Sequence, residues 1–132
     1  MTRGLLLDTH VVLWALAEPD RLSETARITL ADPRVDLWVS AVSAFEIATK
    51  HRLGKLPGAE RILAELNPLL TRLGAQQLPI TMSHASIAGS LEWDHRDPFD
   101  RLLAAQAQLE SLPLMTADVV FGQLPSVRVS PA

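Results

Sequence analysis

Gly4-Leu-Leu-Leu-Asp8-Thr-His-Val-Val-Leu-Trp-Ala-Leu-Ala17 is the stretch that decides the fold. Gly4 to Asp8 is a short apolar run closed by an acid, which reads as a strand buried on both faces. Thr9 to Ala17 continues as an apolar helix that Asp8 or Thr9 can cap and that Glu18-Pro19-Asp20 ends. The chain therefore opens with a strand that passes directly into a helix.

The same alternation continues outward. Ser23-x-x-Ala26 opens a second helix that Asp32-Pro33 closes, and Leu37-Trp38-Val39 reads as the next strand. Ser43-Ala-Phe-Glu46 has the form of a capping box, predicting a helix to about Leu53 with Glu46 in its first turn and Gly54 as its stop. Glu60 to Leu73 has helical spacing interrupted at Asn67-Pro68, which predicts a helical hairpin. Leu78-Pro79-Ile80 reads as a short strand or extended link, and Thr81 to Leu91 as a helix. Asp97-Pro98 is a cap followed by a first-turn proline, leading into a helix from Phe99 to Leu109. Leu114-Met115 reads as a strand ending at Thr116-Ala117-Asp118, and Val127-Arg128-Val129 as a last edge strand. Strands alternating with helices predict an α/β fold, a mostly parallel sheet of four to five strands with helices on both faces.

Five acids, Asp8, Glu46, Asp97, Asp100 and Asp118, fall at predicted junctions between strand and helix or loop. In a parallel sheet the carboxyl ends of the strands converge on one crevice, and these side chains would converge with them. Grouped carboxylates repel one another unless protons or a cation neutralise them. At neutral pH a hard divalent cation on oxygen ligands is the remedy the pattern predicts.

The rest of the composition narrows the chemistry. A length of 132 residues suits a single domain over 1–132, able to bury roughly two-thirds of its unfolded surface. With 48% hydrophobic and 20% charged residues the chain reads as soluble and globular. No cysteine is present, which excludes disulfides, thiolate zinc, iron-sulfur clusters and thiol nucleophiles. The four histidines lack any H-x-x-x-H spacing, so a zinc centre is not expected. The apolar start is too short for a signal peptide and charges interrupt the other apolar stretches, so the expectation is a cytoplasmic protein without a membrane span. A formal charge of −3 argues against nucleic-acid binding through bulk positive charge, while leaving a local basic patch or metal-mediated phosphate contact open.

Taken in order, Leu7-Asp8-Thr9, Ser43-x-x-Glu46, Asp100-Arg-Leu-Leu-Ala-Ala-Gln-Ala107 and Leu114-Met-Thr-Ala-Asp118 resemble the PIN domain. The segments DTHVVLWAL, SAFEIATKHRLGKL, DPFDRLLAAQA and LMTADVVF are similar in particular to the VapC-like toxins of type II toxin-antitoxin pairs. The match spans nearly the whole chain; each motif alone is weak, and their order makes the combination specific. The resemblance implies a Rossmann-like three-layer α/β/α sandwich and a Mg²⁺- or Mn²⁺-dependent endoribonuclease. It also implies an RNA substrate, a cognate antitoxin and a homodimer. Phosphodiester hydrolysis needs an activated water and relief of charge on the phosphate, both of which carboxylate-held Mg²⁺ supplies.

Each acid also has a local explanation. Asp8 can cap a helix, yet it closes an apolar strand where an unpaired charge is costly. Glu46 can complete a box with Ser43 or pair with Lys50, and the resemblance is what raises it to a ligand. Asp97 is sufficiently explained as a cap, whereas Asp100 aligns with the acid that precedes the small-residue helix in the family, so the resemblance gives Asp100 the third ligand position and leaves Asp97 behind it. Asp118 can cap a short helix toward Phe121, but its turn after a strand matches the fourth acid of the family. Thr9, Ser43 and Thr116 are the neighbouring hydroxyls that can orient these groups.

Lys50-His51-Arg52 with Lys55 forms a basic run that is either a solvated face or an RNA contact. Arg101 can steady the carboxylates or meet a phosphate, and His95-Arg96 can meet one from the preceding loop. His10 is expected to be packed or hydrogen-bonded, and Trp14, Trp38 and Trp93 to fill the core or a dimer face. No second Asp at position 10, acidic pair with a late Lys, or glycine-rich phosphate loop supports another phosphate-handling α/β fold. The remaining rival is a catalytically silent PIN-like module that binds a protein partner, its acids serving only as caps.

Overall fold

The structure, a computed structural model, describes residues 3–132. Its centre is a five-stranded sheet in the order β3-β2-β1-β4-β5 with every pairing parallel. The strands are β1 (Arg3–Leu7), β2 (Val35–Ser40), β3 (Ala75–Leu78), β4 (Leu114–Thr116) and β5 (Val129–Pro131). Between them run α1 (Thr9–Ala17), α2 (Glu24–Ala31), α3 (Ala41–Arg52), α4 (Ala59–Ala64), α5 (Leu66–Leu73), α6 (Met82–Ser90) and α7 (Pro98–Leu109). Short 3-10 turns occupy Pro19–Arg21 and Val119–Gln123.

Alternation along the strands creates the three layers. Leu5 and Leu7 of β1 join a cluster with Leu37, Val39 and Met115, covered by Val11 and Val12 of α1, Ala26 of α2 and Leu70 of α5. Leu6 and Leu114 join a second cluster with Val42 of α3, Leu103, Ala104 and Ala107 of α7, and Phe121. Successive strand residues point to opposite faces, so the two clusters lie on the two sides of the sheet. This is the expected α/β/α sandwich. Trp14, Trp38 and Trp93 pack against these clusters, as expected for core-filling rings.

Several boundaries differ from the sequence expectations. The helix containing Glu46 starts earlier, because Ser40 caps it by accepting the Val42 amide at 3.0 Å. Ser43 is therefore a helical residue, and Glu46 lies beyond the first turn instead of closing a capping box. The hairpin breaks at Glu65, not at Asn67-Pro68: Pro68 sits in the first turn of α5, where its missing N–H costs no helical bond. Gly74, at φ +78°, ends α5 in the left-handed conformation, and β3 follows at once. The third strand thus precedes Pro79, which lacks the donor to extend it. The last strand lies two residues later than expected, since Val127 turns into the second cluster before pairing begins at Val129.

β1 is the middle strand, with β2 on one side and β4 on the other. The chain reverses its direction of travel across the sheet between β1 and β4, the kind of crevice in which open α/β sheets bind ligands. Asp8 follows β1 and Asp118 follows β4, so two of the predicted acids flank that reversal.

Candidate active site

Asp8 sits at the hinge between β1 and α1. Its Oδ1 accepts the Thr9 amide at 2.7 Å, which caps α1, and its Oδ2 accepts the Thr116 hydroxyl at 2.7 Å. The side chain is buried, and burial pushes its carboxyl above the usual range against the lowering effect of the Thr116 hydrogen bond. Neighbouring Glu46 adds to the upward push. Capping and site placement are therefore two uses of one carboxylate.

Thr116 also accepts the Asp118 amide at 2.9 Å, so one hydroxyl ties the strand end carrying Asp8 to the turn carrying Asp118. Asp118 itself is exposed, and its Oδ1 caps the turn toward Phe121 by accepting the Val120 amide at 3.0 Å. On the other side of Asp8, the Thr9 and Ser43 hydroxyls lie 2.9 Å apart and join α1 to α3. That bond explains why Ser43 is not a cap.

Glu46 is only 5% exposed, an unusual position for a carboxylate. Lys50 Nζ approaches its Oε2 at 2.8 Å, while its buried Oε1 has no hydrogen-bond partner among the described residues. An ionised oxygen left in that state is costly unless a proton or cation joins it.

Asp100 enters from the first turn of α7, near enough to Asp8 to feel its charge. Its carboxyl is pushed up to about 6, chiefly by burial, with the hydrogen bond to His95 acting in the opposite direction and the charges of Asp97 and Asp8 adding to the rise. His95 Nε2 lies 2.6 Å from Asp100 Oδ2. Asp97 performs the expected cap, its Oδ1 accepting the Phe99 and Asp100 amides at 2.8 and 3.2 Å. His95, Asp97 and Asp100 can each present a ligand atom within 4.8 Å of the others.

The basic residues divide. Lys50 is engaged by Glu46 instead of standing ready for a phosphate. Arg101, expected either to steady the carboxylates or to meet a phosphate, donates to the carbonyls of Ala88, Leu91, Trp93 and His95 and braces its own neighbouring loop. Arg52 and Arg96 are exposed. His10 is exposed as well, with its ring 6.1 Å from Trp14, and is not the packed histidine that was expected.

The carboxylates bring only hard oxygen donors, which fits Mg²⁺ or Mn²⁺ better than a thiophilic metal. The uncompensated Glu46 Oε1 and the raised Asp8 and Asp100 carboxyls are what such a cation would relieve. Residues 5–126 match the sequence profile of the PIN domain. The chain belongs to the PIN domain family. A relative of this PIN domain, Ribonuclease VapC22 of Mycobacterium tuberculosis, is 37% identical over 86% of each chain. Among solved structures, VapBC2 from Rickettsia felis, bound to a DNA fragment from its promoter, superposes with a TM-score of 0.71 at 17% identity, over 97% of this chain and 98% of the other. DNA-bound VapBC from Salmonella typhimurium gives 0.69 at 18% identity, over 99% and 98%. These two likenesses concern the fold.

Proposed function

We propose that this PIN domain is a Mg²⁺-dependent endoribonuclease, with Mn²⁺ able to substitute, and the toxin of a type II toxin-antitoxin pair. The observation that carries the reading is Glu46 Oε1, a buried carboxylate oxygen without a partner beside two further carboxylates that burial has made reluctant to ionise. A protein-binding module whose acids serve only as caps has no use for that oxygen. The name of the VapC22 relative supports ribonuclease chemistry, and the VapBC neighbours support a cognate antitoxin as partner.

Asp8, Glu46, Asp100 and Asp118 would hold the cation. It would supply an activated water and neutralise charge on the scissile phosphate. The chain's own part is placement. Thr116 holds Asp8 and the Asp118 turn in fixed relation, the Thr9–Ser43 bond docks α3 against α1, and Asp97 sets the start of α7 beneath Asp100. Exposed Arg52 and Arg96 are the side chains we assign to RNA contact. We further assign residues 1–132 to one PIN-like domain acting as a cytoplasmic homodimer; no helix among the described residues is long and apolar enough to cross a membrane.

The test is cleavage of single-stranded RNA by antitoxin-free protein. Internal cleavage with Mg²⁺, abolished by chelation and by Asp8→Asn, is expected. Intact RNA despite bound Mg²⁺, or equal cleavage by the Asp8→Asn protein, would remove the enzyme reading.

A further inference from the structure

His95 lies between α6 and α7, where no helix or strand ladder fixes the backbone. Arg101 does so instead. Its Nε donates to Ala88 O at 2.9 Å, Nη2 to Leu91 O at 2.6 Å, and Nη1 to Trp93 O at 2.9 Å and His95 O at 3.0 Å. A guanidinium offers five N–H donors in a rigid planar fork, so this one segment takes nearly all of them. An arginine spent in this way has little left for a substrate phosphate.

The side chains of the segment are anchored too. The His95 ring lies 4.9 Å from that of Trp93, which in turn lies 5.8 Å from fully buried Phe121. The Trp93 indole N–H donates to Gln123 Oε1 at 2.9 Å. Backbone and ring are thus both held where the imidazole reaches Asp100 Oδ2 at 2.6 Å.

We propose that His95 is a positioning residue for Asp100 and that Arg101 acts through it by holding the loop in place. The imidazole N–H engages Oδ2 and sets the rotation of the carboxylate, which offers Oδ1 to the cation. The terminal torsion of an aspartate is broad and has no sharp minimum of its own, so a partner is needed to fix it. Hydrogen bonds from surrounding groups to ligating carboxylates orient them in this way, and their loss weakens metal binding. The inference rests on the cation-site reading given above and adds to it a residue that contacts neither the cation nor RNA.

Calorimetric titration with Mn²⁺ alone, paired with steady-state RNA cleavage, tests it on the wild type, His95→Ala and His95→Gln. His95→Ala is expected to weaken Mn²⁺ binding by about tenfold and to raise the Mg²⁺ needed for half-maximal cleavage. The KM for RNA at saturating Mg²⁺ should not change. His95→Gln, which retains an amide donor near the Nε2 position, should recover most of the loss. Unchanged Mn²⁺ affinity in His95→Ala overturns the proposal, as does an effect confined to the KM for RNA, which would make His95 a substrate contact. Wild type that binds Mn²⁺ without cleaving RNA defeats the ribonuclease reading, and the Mn²⁺ comparison still decides the role of His95. Absence of Mn²⁺ binding by the wild type defeats both.

Discussion

Thr116 Oγ1 donates to Asp8 Oδ2 at 2.7 Å although 108 residues separate the two in sequence. The bond crosses the β1–β4 reversal of the sheet, and the same hydroxyl accepts the Asp118 amide. One threonine therefore sets the relation between two acids from opposite ends of the chain.

Thr116→Val keeps the shape and removes the hydroxyl. A hydrogen bond to a buried charged group contributes about 1.5–3 kcal/mol, and a loss of that order is expected in denaturant unfolding at neutral pH. Thr116→Ser should lose much less. Equal stability of all three proteins would show that the bond does not hold the site together.

Asp100 and Asp97 should separate by function. Asp100→Asn is expected to abolish cleavage while leaving the fold intact. Asp97→Asn should change stability little, since Asn also caps, whereas Asp97→Ala should cost about 1 kcal/mol. Thermal melts beside cleavage rates check the assignment, and the reverse pattern would exchange the two roles.

The raised carboxyls predict how the cation-free protein responds to pH. Asp100 moves from 3.8 to about 6, so the folded state holds this proton more tightly than the unfolded state does. Stability from this group is fully present below the unfolded value and is lost as pH rises through the folded one. Asp8 shifts in the same direction. In EDTA, calorimetric melts of wild type should therefore lose stability relative to Asp100→Asn between about pH 4 and pH 6. Parallel curves for the two proteins would contradict the shift. Added Mg²⁺ should restore wild type at neutral pH by binding the folded state.

In the proposed site Lys50 would compete with the cation for Glu46. Lys50→Met should tighten Mn²⁺ binding severalfold while lowering the stability of the cation-free protein, because Glu46 then has neither partner. Weaker Mn²⁺ binding in this variant would mean that Lys50 supports the cation site instead of opposing it.

Much of the fold was legible because its signals are local. The apolar run into Asp8, the Asp97-Pro98 helix start and the Ser23 cap depend on residues close in sequence, and the helices they predict are present. The capping box at Ser43 misled because a hydroxyl three residues before a glutamate looks the same whether it caps a helix or bonds Thr9 from another one. The role of Arg101 was hidden for another reason: its carbonyl partners belong to a loop whose path the sequence does not reveal. The Glu46–Lys50 pair, four residues apart on α3, was legible because it is local. The charge of Glu46 raises the Asp8 carboxyl and that of Asp8 raises the Asp100 carboxyl, while Asp118 is linked to Asp8 through Thr116. We propose these four acids as the ligands of the cation.

Anomalous diffraction from crystals of the wild-type protein soaked in Mn²⁺ addresses that proposal most directly. A peak is expected about 2.1 Å from carboxylate oxygens that include Asp8 and the now unpartnered Oε1 of Glu46, absent from Asp8→Asn crystals. A peak bound elsewhere, or none at these acids under saturating Mn²⁺, would contradict it.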